Sequence, residues 1–363
     1  MLFAPEKAIL VGVQLTETKH IPLEESMQEL TRLAETAGAE VVGQLTQNRP
    51  KPDLKYFIGS GKLDEIKAAI AAYNANMVIL DNNISAAQNR NLEEALEVKV
   101  VDRTEIILDI FAQHASSHEG KLQVELAQSS FLLTRLIGHG VAMSRLGGGI
   151  GTRGPGETKL EQDRRYIRKR ISELKKEIEK LRKERSVRRD KRRKSNIPTI
   201  AIVGYTNSGK STLLNALAKS DVLTQDQLFA TLDPTVRRVT LPNHKIVLMS
   251  DTVGFIQKLP HQLIAAFRAT LEEVSEADLL LHVVDASHPY REDQINAVLT
   301  VLEELKCGTK PMITVFNKSD KLTRKISGEL LKKHEPSVVI SALHKSGLDK
   351  LVTIFSQLLR QPA

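Results

Sequence analysis

The chain has 363 residues, of which 41% are apolar, so it is too long for one ordinary core and too apolar for a disordered polymer. A single cysteine, Cys307, excludes an internal disulfide and favours a small buried side chain over a catalytic thiol. The net charge is +8, but residues 164–194 hold 17 basic and five acidic side chains and so carry +12, which leaves −4 for the rest. The positive charge therefore belongs to one element, and this favours an element that faces a polyanion.

The N-terminal segment MLFAPEKAILVGVQL has Glu6 and Lys7 inside its apolar run and lacks a basic start. It therefore predicts a first strand and not a signal peptide. The longest apolar runs, such as residues 279–284, are far too short to span a bilayer. We expect a cytoplasmic monomer without a membrane span.

Strand-like and helix-like segments alternate through residues 1–119, which predicts one α/β domain with a mostly parallel sheet covered by helices. Ser85 is a natural N-cap for the third helix. The predicted strands are Ala8–Val13, Val41–Leu45, Met77–Asp81 and Val98–Val101, and the predicted helices are Leu23–Ala37, Gly61–Tyr73, Ser85–Leu96 and Thr104–His114.

Residues 58–62, IGSGK, resemble half of a phosphate-binding loop, although the first glycine of the full spacing and the Ser or Thr after the lysine are absent. Two interpretations stay open. The segment is either a tight turn that opens a helix, or an anion or RNA phosphate site at the N-terminus of that helix.

Residues 120–195 predict an antiparallel pair of coiled-coil helices, because apolar positions recur at spacings of four and three in two runs. The runs are joined by a loop, residues 147–156, whose many glycines cannot be helical. The first run is Leu122, Leu126, Ser129, Leu133, Leu136, Gly140 and Met143, and the second is Leu160, Arg164, Ile167, Ile171, Leu174, Ile178 and Leu181.

This arm has two interpretations: a spacer with a solvated charged face, or a basic element that lies along RNA. The second is favoured because positive charge continues beyond the apolar seam, through residues 188–194. Mere solubility would not require charge of one sign, since its self-repulsion is destabilising. Since Tyr166 is the single aromatic residue of the second helical run, phosphate and shape contacts are expected rather than base reading. The predicted RNA-binding residues are Arg153, Arg164, Arg165, Arg168, Lys169, Arg188, Arg189, Arg192 and Arg193.

A second α/β domain is predicted for residues 196–363, and it opens with GYTNSGKS at residues 204–211. This stretch matches G-x-x-x-x-G-K-[ST] between a buried strand and a helix start, where backbone N–H groups point at phosphate oxygens. Lys210 is expected to reach the β- and γ-phosphates and the Ser211 hydroxyl to hold Mg²⁺. The motif predicts a nucleoside triphosphate site.

Three downstream motifs narrow this prediction to guanine. In DTVG, Asp251 is expected to hold the Mg²⁺ shell through water, and the Gly254 N–H to meet the γ-phosphate. In NKSD, the Asp320 carboxylate can accept from guanine N1–H and its exocyclic amine together, a pair of donors that adenine lacks. Asn317 is expected to tie this loop to the phosphate loop, the Lys318 stem to pack on the base, and residues 341–343, SAL, to supply an N–H to the guanine oxygen.

A switch segment is predicted at residues 229–235, FATLDPT. Such a segment needs a Thr whose hydroxyl joins Mg²⁺ and whose N–H meets the γ-phosphate. Thr231 is our first choice and Thr235 the second. The full set of predicted nucleotide-binding residues is Gly204, Tyr205, Thr206, Asn207, Ser208, Gly209, Lys210, Ser211, Thr212, Phe229, Ala230, Thr231, Leu232, Asp233, Asp251, Thr252, Val253, Gly254, Asn317, Lys318, Ser319, Asp320, Ser341, Ala342 and Leu343.

These motifs resemble those of the HflX-type GTPases, relatives of the Obg-type GTPases, over almost the entire chain. The matching stretches are GGGIGTRGPGETKLE at residues 147–161, GYTNSGKSTLLNAL at 204–217, LFATLDPT at 228–235 and DTVGFI at 251–256, together with YFIGSGK, NKSD and SAL. The resemblance implies a Ras-like GTPase domain and a protein that binds the large ribosomal subunit and its rRNA. It also implies a role in ribosome splitting, rescue or biogenesis.

The predicted catalytic residues are Lys210, Thr231 and Gly254, with Mg²⁺ on Ser211 and Thr231 and, through water, on Asp251. Where many GTPases place a water-orienting Gln this chain has Phe255, which cannot hydrogen-bond water. We therefore expect slow intrinsic turnover that a partner raises, and Phe255→Ala should be far milder than Lys210→Ala. Gln257 is a candidate substitute.

Asn207, fourth in the phosphate loop, either holds K⁺ beside the phosphates or merely suits a tight turn. Two other functions also stay open. One is a GTP-dependent switch with a protein effector, in which the basic arm is a spacer. The other is an enzyme with its active site in the N-terminal domain, although His114 and His118 lack obvious further ligands there.

Overall fold

The computed structural model describes residues 6–16, 22–144, 159–194, 197–218, 228–229, 235–242, 244–258, 273–323 and 330–359, with backbone only for 137–144 and 186–194. These residues form two compact units. The first combines Met1–Gln113 with Lys121–Ile178, and the second combines His114–Gly120 with Glu179–Ala363. Three domains, residues 1–119, 120–195 and 196–363, remain our proposal for the organisation of the chain.

The first unit contains a four-stranded parallel sheet in the order β2-β1-β3-β4, as the alternating sequence pattern predicts. The strands are β1 (Lys7–Leu15), β2 (Glu40–Arg49), β3 (Met77–Leu80) and β4 (Lys99–Asp102), and the helices are α1 (Leu23–Thr36), α2 (Ser60–Tyr73), α3 (Ala86–Leu96) and α4 (Arg103–His114).

Local sequence explains where these helices begin and which face they bury. Ser85 caps α3 in a capping box, in which its hydroxyl accepts from the Gln88 N–H and the Gln88 side chain accepts from the Ser85 N–H. Helix α1 buries one stripe against the sheet, formed by Met27, Leu30, Leu33 and Ala34.

The carboxyl edge of this sheet is filled by the unit's own side chains. Arg103, 1% exposed, pairs with the buried Asp81 at 2.7 Å and also with Glu29. The Ser26 hydroxyl donates to Asp81 at 2.6 Å, and the Asn82 amide exchanges two hydrogen bonds with the Val13 backbone. These contacts satisfy buried polar groups and account for the cluster as a structural element.

Two long helices follow, α5 (His118–Ser144) and α6 (Lys159–Lys194). Arg164 donates to the Leu136 carbonyl at 2.7 Å, and Arg170 makes a bidentate pair with Glu125. The later residue of α6 contacts the earlier residue of α5, so the contacting segments of the two helices run antiparallel. The Gly-rich loop, residues 147–156, lies outside the described residues.

The second unit contains a six-stranded sheet in the order β10-β9-β8-β5-β7-β6, parallel except for the antiparallel edge strand β6. The strands are β5 (Thr199–Gly204), β6 (Thr235–Thr240), β7 (Ile246–Asp251), β8 (Leu279–Asp285), β9 (Met312–Asn317) and β10 (Ser337–Val339), and the helices are α7 (Lys210–Ala218), α8 (Arg291–Glu304) and α9 (Leu348–Leu358).

Parallel strands bring the predicted motifs to one edge of this sheet. Gly204 ends β5, Asp251 ends β7, Asp285 ends β8 and Asn317 ends β9, and these four strands are neighbours. The carboxyl ends of parallel strands form the ligand-binding edge in open α/β folds. Among the described residues, no helix is long and apolar enough to cross a membrane.

Candidate active site

The loop between β5 and α7 is shaped by residues in unusual backbone conformations. Asn207 and Gly209 have positive φ angles of 57° and 92°, in the region that favours Asn and Gly. A Cβ on Gly209 would lie 2.2 Å from the Asn317 amide nitrogen, so a side chain cannot fit there. The sequence therefore folds this segment into a tight loop that leads into the N-terminus of α7.

Polar atoms inside this loop fit a phosphate-bearing ligand. The hydroxyls of Thr206 and Ser208 are buried and have no hydrogen-bond partner within the described part of the chain. Buried polar groups are normally paired, so an unpaired set marks a place where a ligand binds. Together with the N–H groups that open α7, these hydroxyls suit an oxyanion.

Lys210 lies beside this loop and is 6% exposed. Its ammonium donates to the Tyr205 carbonyl at 2.8 Å. Burial lowers the pKa of Lys210 to about 8, and the Asp251 carboxylate opposes this change. Phosphate oxygens would raise this pKa again and pair with the ammonium, so the side chain suits an anionic ligand.

Two oxygen ligands suitable for a hard cation meet at this edge. The Ser211 hydroxyl donates to the Asp251 carboxylate at 2.5 Å. Hydroxyl and carboxylate oxygens are what Mg²⁺ prefers, so these residues fit the ion that P-loop enzymes use to neutralise phosphate charge. The predicted third ligand, Thr231, lies outside the described residues.

Asn317 connects three loops at the same edge. Its amide nitrogen donates to the Ser208 carbonyl at 2.9 Å, and its amide oxygen accepts from the Ala342 N–H at 2.9 Å. The NKSD loop, the phosphate loop and the SAL loop are therefore fixed relative to one another by one buried side chain. This arrangement holds the loops predicted to bind base and phosphate at a set spacing.

Asp320 lies in a 3₁₀ turn, Ser319–Lys321, and its carboxylate is oriented by Ser341. The Ser341 hydroxyl donates to one carboxylate oxygen at 2.5 Å, and this bond holds the pKa of Asp320 below its ordinary value. The carboxylate therefore stays ionised and able to accept two donors from a base. Leu343, at the tip of the SAL loop, is 71% exposed.

The chain is similar to known proteins along most of its length. Family models match residues 24–112 (GTP-binding GTPase N-terminal), 114–192 (GTP-binding GTPase middle region) and 199–318 (50S ribosome-binding GTPase). The chain is 51% identical over 347 residues to GTPase HflX of Caldanaerobacter subterraneus subsp. tengcongensis, covering 96% of this chain and 79% of that one. It is 49% identical over 319 residues to GTPase HflX of Escherichia coli K12, covering 88% and 74%.

This chain belongs to the HflX family of GTPases. Its motifs are those of an enzyme that hydrolyses GTP to GDP and phosphate, and GTPases of this kind generally use Mg²⁺. A solved structure of a GTP-binding protein from the archaeon Sulfolobus solfataricus, in complex with GDP, is similar over 98% of both chains, with 26% identity and a TM-score of 0.50.

The sequence does not single out Asp285, which the fold places beside Lys318 of the NKSD loop. Its carboxylate pairs with the Lys318 ammonium at 2.7 Å and accepts from the Ser287 hydroxyl at 2.6 Å. Burial raises the pKa of Asp285, but the bonds from Lys318 and Ser287 outweigh it and hold the pKa below its ordinary value. Asp285 therefore fixes the direction of the Lys318 stem. Its only sequence signal is its place at the end of a buried strand.

His114, which lacks obvious ligands in the sequence, contacts the first residue of the predicted switch segment. A ring nitrogen, Nδ1, lies 2.9 Å from the Phe229 carbonyl oxygen, and both residues belong to the second unit. Phe229 has a positive φ of 57° and is 3% exposed. His114 is therefore a structural contact of Phe229, the first residue of the predicted switch segment. Residues 230–234, which include Thr231, lie outside the described residues.

Other predicted residues have structural partners. Thr235, the second choice for the switch threonine, begins β6 and pairs with Asp251 in the sheet register. The Thr252 hydroxyl donates to the Ile202 carbonyl at 2.7 Å and is fully buried, so it supports the strand edge. Phe255 and Gln257 are 2% and 8% exposed.

The predicted RNA-binding residues fall into three groups. Arg165, Arg168 and Lys169 are exposed on α6. Arg164 instead points toward α5 and uses its guanidinium on the Leu136 carbonyl. Arg153 and the side chains of Arg188, Arg189, Arg192 and Arg193 lie outside the described set.

The IGSGK segment opens helix α2 with Gly59 as its N-cap. The Gln47 side chain accepts from the Gly59 N–H at 3.0 Å, and Lys62 pairs with Glu65. The Gly59 N–H and the Lys62 ammonium thus already have partners within the unit, which favours the tight-turn interpretation.

Proposed function

We propose that this HflX-family GTPase acts on the large ribosomal subunit, in splitting, rescue or biogenesis, and contacts rRNA through its basic helix α6. The observation that carries the proposal is the exposed basic face of α6, in a chain whose GTPase domain matches a ribosome-binding family model. The reaction and the partner require a cytoplasmic setting.

The distribution of charge on α6 supports an RNA-facing role. Inward positions such as Ile167, Ile171 and Leu174 are partly or fully buried. Arg165, Arg168 and Lys169 project from the opposite face, and the side chain of Lys169 is 77% exposed. Such side chains can contact a phosphate backbone and release counterions, which makes binding dependent on salt.

The residue that follows DTVG supports a dependence on the partner. Phe255 occupies the usual position of a water-orienting group, and its ring is buried and apolar. Intrinsic hydrolysis should therefore be slow, and ribosome binding should raise it by ordering the switch segment or supplying a group.

Reversing three charges on α6 should weaken binding to large subunits. Arg165, Arg168 and Lys169 replaced together by Glu should lower affinity at least about 100-fold at low salt, since three phosphate contacts become repulsive. Pelleting with purified large subunits through a sucrose cushion, over a series of salt concentrations, measures this change.

The control carries the same charge change elsewhere. Lys306, Lys332 and Lys350 are exposed in the second unit, and replacing all three by Glu should leave pelleting nearly intact. Equal binding by both triple variants would contradict the proposal. Salt-insensitive association with no stimulation of hydrolysis would favour a protein effector, with the arm as a spacer.

Potassium is a second expected cofactor. Asn207 is exposed in a left-handed conformation at the fourth position of the phosphate loop, where its amide oxygen can hold a monovalent cation. Hydrolysis should therefore be faster in K⁺ than in Na⁺. Asn207→Gly keeps the backbone conformation and removes the amide, so the ratio of the two rates should fall to about one. Identical hydrolysis rates in K⁺ and Na⁺ for the unaltered chain would exclude a role for K⁺.

A further inference from the structure

Tyr205, the second residue of the phosphate loop, contacts the segment after DTVG. Its ring is 5% exposed, and its hydroxyl accepts a hydrogen bond from the Gln257 N–H at 2.7 Å. The Lys210 ammonium donates a hydrogen bond to the Tyr205 carbonyl at 2.8 Å. The backbone of Tyr205 therefore contacts the lysine of the phosphate loop, and its side chain contacts another loop.

The two loops also pair through their backbones. The Thr206 N–H donates to the Phe255 carbonyl at 2.7 Å, and the Phe255 N–H donates to the Gly204 carbonyl at 3.1 Å. Tyr205 and Phe255 thus form a short parallel bridge. The Tyr205 hydroxyl adds a third bond, two residues further along, and so fixes the direction in which the segment leaves the bridge.

Gly254 lies at the start of this paired segment, directly beside the phosphate loop. A Cβ on Gly254 would lie 2.9 Å from the Thr206 Cα and 3.0 Å from the Lys210 ammonium. No side chain fits there, and the Gly254 backbone is next to the group expected to meet the β- and γ-phosphates. Small displacements of residues 255–257 would therefore move the Gly254 N–H relative to the γ-phosphate.

We propose that Tyr205 is a positioning residue for GTP hydrolysis: its hydroxyl holds residues 255–257 against the phosphate loop and thereby sets the place of the Gly254 N–H. Its role is to favour GTP over GDP, because only GTP has the γ-phosphate that this N–H meets. The proposal requires GTP hydrolysis and is independent of the ribosome.

The chemistry of the position suits tyrosine. A phenylalanine would fill the same buried space but leave the Gln257 N–H without its acceptor, and Gln257 is 8% exposed, so water has little access. The segment would then leave its observed position to reach solvent. GDP does not contact Gly254 through a γ-phosphate, so its binding should not depend on this bond.

Tyr205→Phe tests the proposal. We expect affinity for a non-hydrolysable GTP analogue to fall about tenfold and single-turnover hydrolysis to slow similarly, while GDP affinity changes less than about twofold. Fluorescent nucleotide titration and rapid-quench kinetics measure the three quantities. Tyr290→Phe is the matched control in the same unit, because no hydrogen bond of the Tyr290 hydroxyl is described, and it should behave like the unaltered chain.

Hydrogen exchange gives an independent test on the same variant. The Gln257 amide should be protected in the unaltered chain and exchange at least about tenfold faster in Tyr205→Phe. Equal losses of GDP and analogue affinity would show a purely structural role and overturn the proposal. Unchanged analogue affinity together with unchanged Gln257 exchange would overturn it as well.

Discussion

Lys210→Ala should reduce GTP hydrolysis at least about 100-fold, since the ammonium stabilises charge that develops on the transferred phosphoryl group. Lys210 is buried, donates to the Tyr205 carbonyl and is attracted by the Asp251 carboxylate. A methyl group at this position cannot contact a phosphate oxygen. Single-turnover hydrolysis with saturating GTP measures the loss without interference from product release.

Phe255 provides the comparison that makes this result specific. Because its ring is 2% exposed, Phe255→Ala would also leave a cavity, and Phe255→Leu is the cleaner variant. An apolar side chain contributes no hydrogen bond to the attacking water, so Phe255→Leu should slow hydrolysis less than about fivefold. Complete loss of hydrolysis in Phe255→Leu as well as in Lys210→Ala would contradict this account, because it would place Phe255 in the chemical step.

Asp320→Asn should lower guanine nucleotide affinity at least about 100-fold and give the protein affinity for xanthine nucleotides. The Asp320 carboxylate is expected to accept from two guanine donors, whereas an amide would present its own N–H group to the guanine amine. Xanthine has a carbonyl in place of that amine, so the amide pairs with it. Titration with fluorescent GDP and XDP measures both changes.

The environment of Asp320 strengthens this prediction. The Ser341 hydroxyl already donates to one carboxylate oxygen at 2.5 Å, so the group is ionised and oriented before the base binds. Asp349→Asn, on the exposed start of α9, is the control and should leave both affinities unchanged. Undiminished GDP binding by Asp320→Asn would show that guanine is read elsewhere.

Much of the fold and the nucleotide site could be predicted because the signals are local. Alternation of apolar strands and helices predicted the first sheet, including the Ser85 cap. The phosphate loop, DTVG and NKSD each follow a buried strand, and parallel pairing brings their ends to one edge.

The rest depends on contacts between distant residues. Asp285 pairs with Lys318 only because β8 and β9 are neighbours, and Tyr205 meets Gln257 only through the bridge between their loops. Arg164 shows the opposite difficulty. Its charge favoured a surface role, but its heptad position places it against α5, where it caps the Leu136 carbonyl.

The most direct test is pelleting of the unaltered chain with purified large subunits in GTP, in GDP and in a non-hydrolysable analogue. A ribosome-acting GTPase should pellet with large subunits in at least one nucleotide state, lose that binding steeply as salt rises, and hydrolyse GTP faster when subunits are present. Absence of pelleting in all three states at low salt, with hydrolysis unchanged by subunits, would contradict this function.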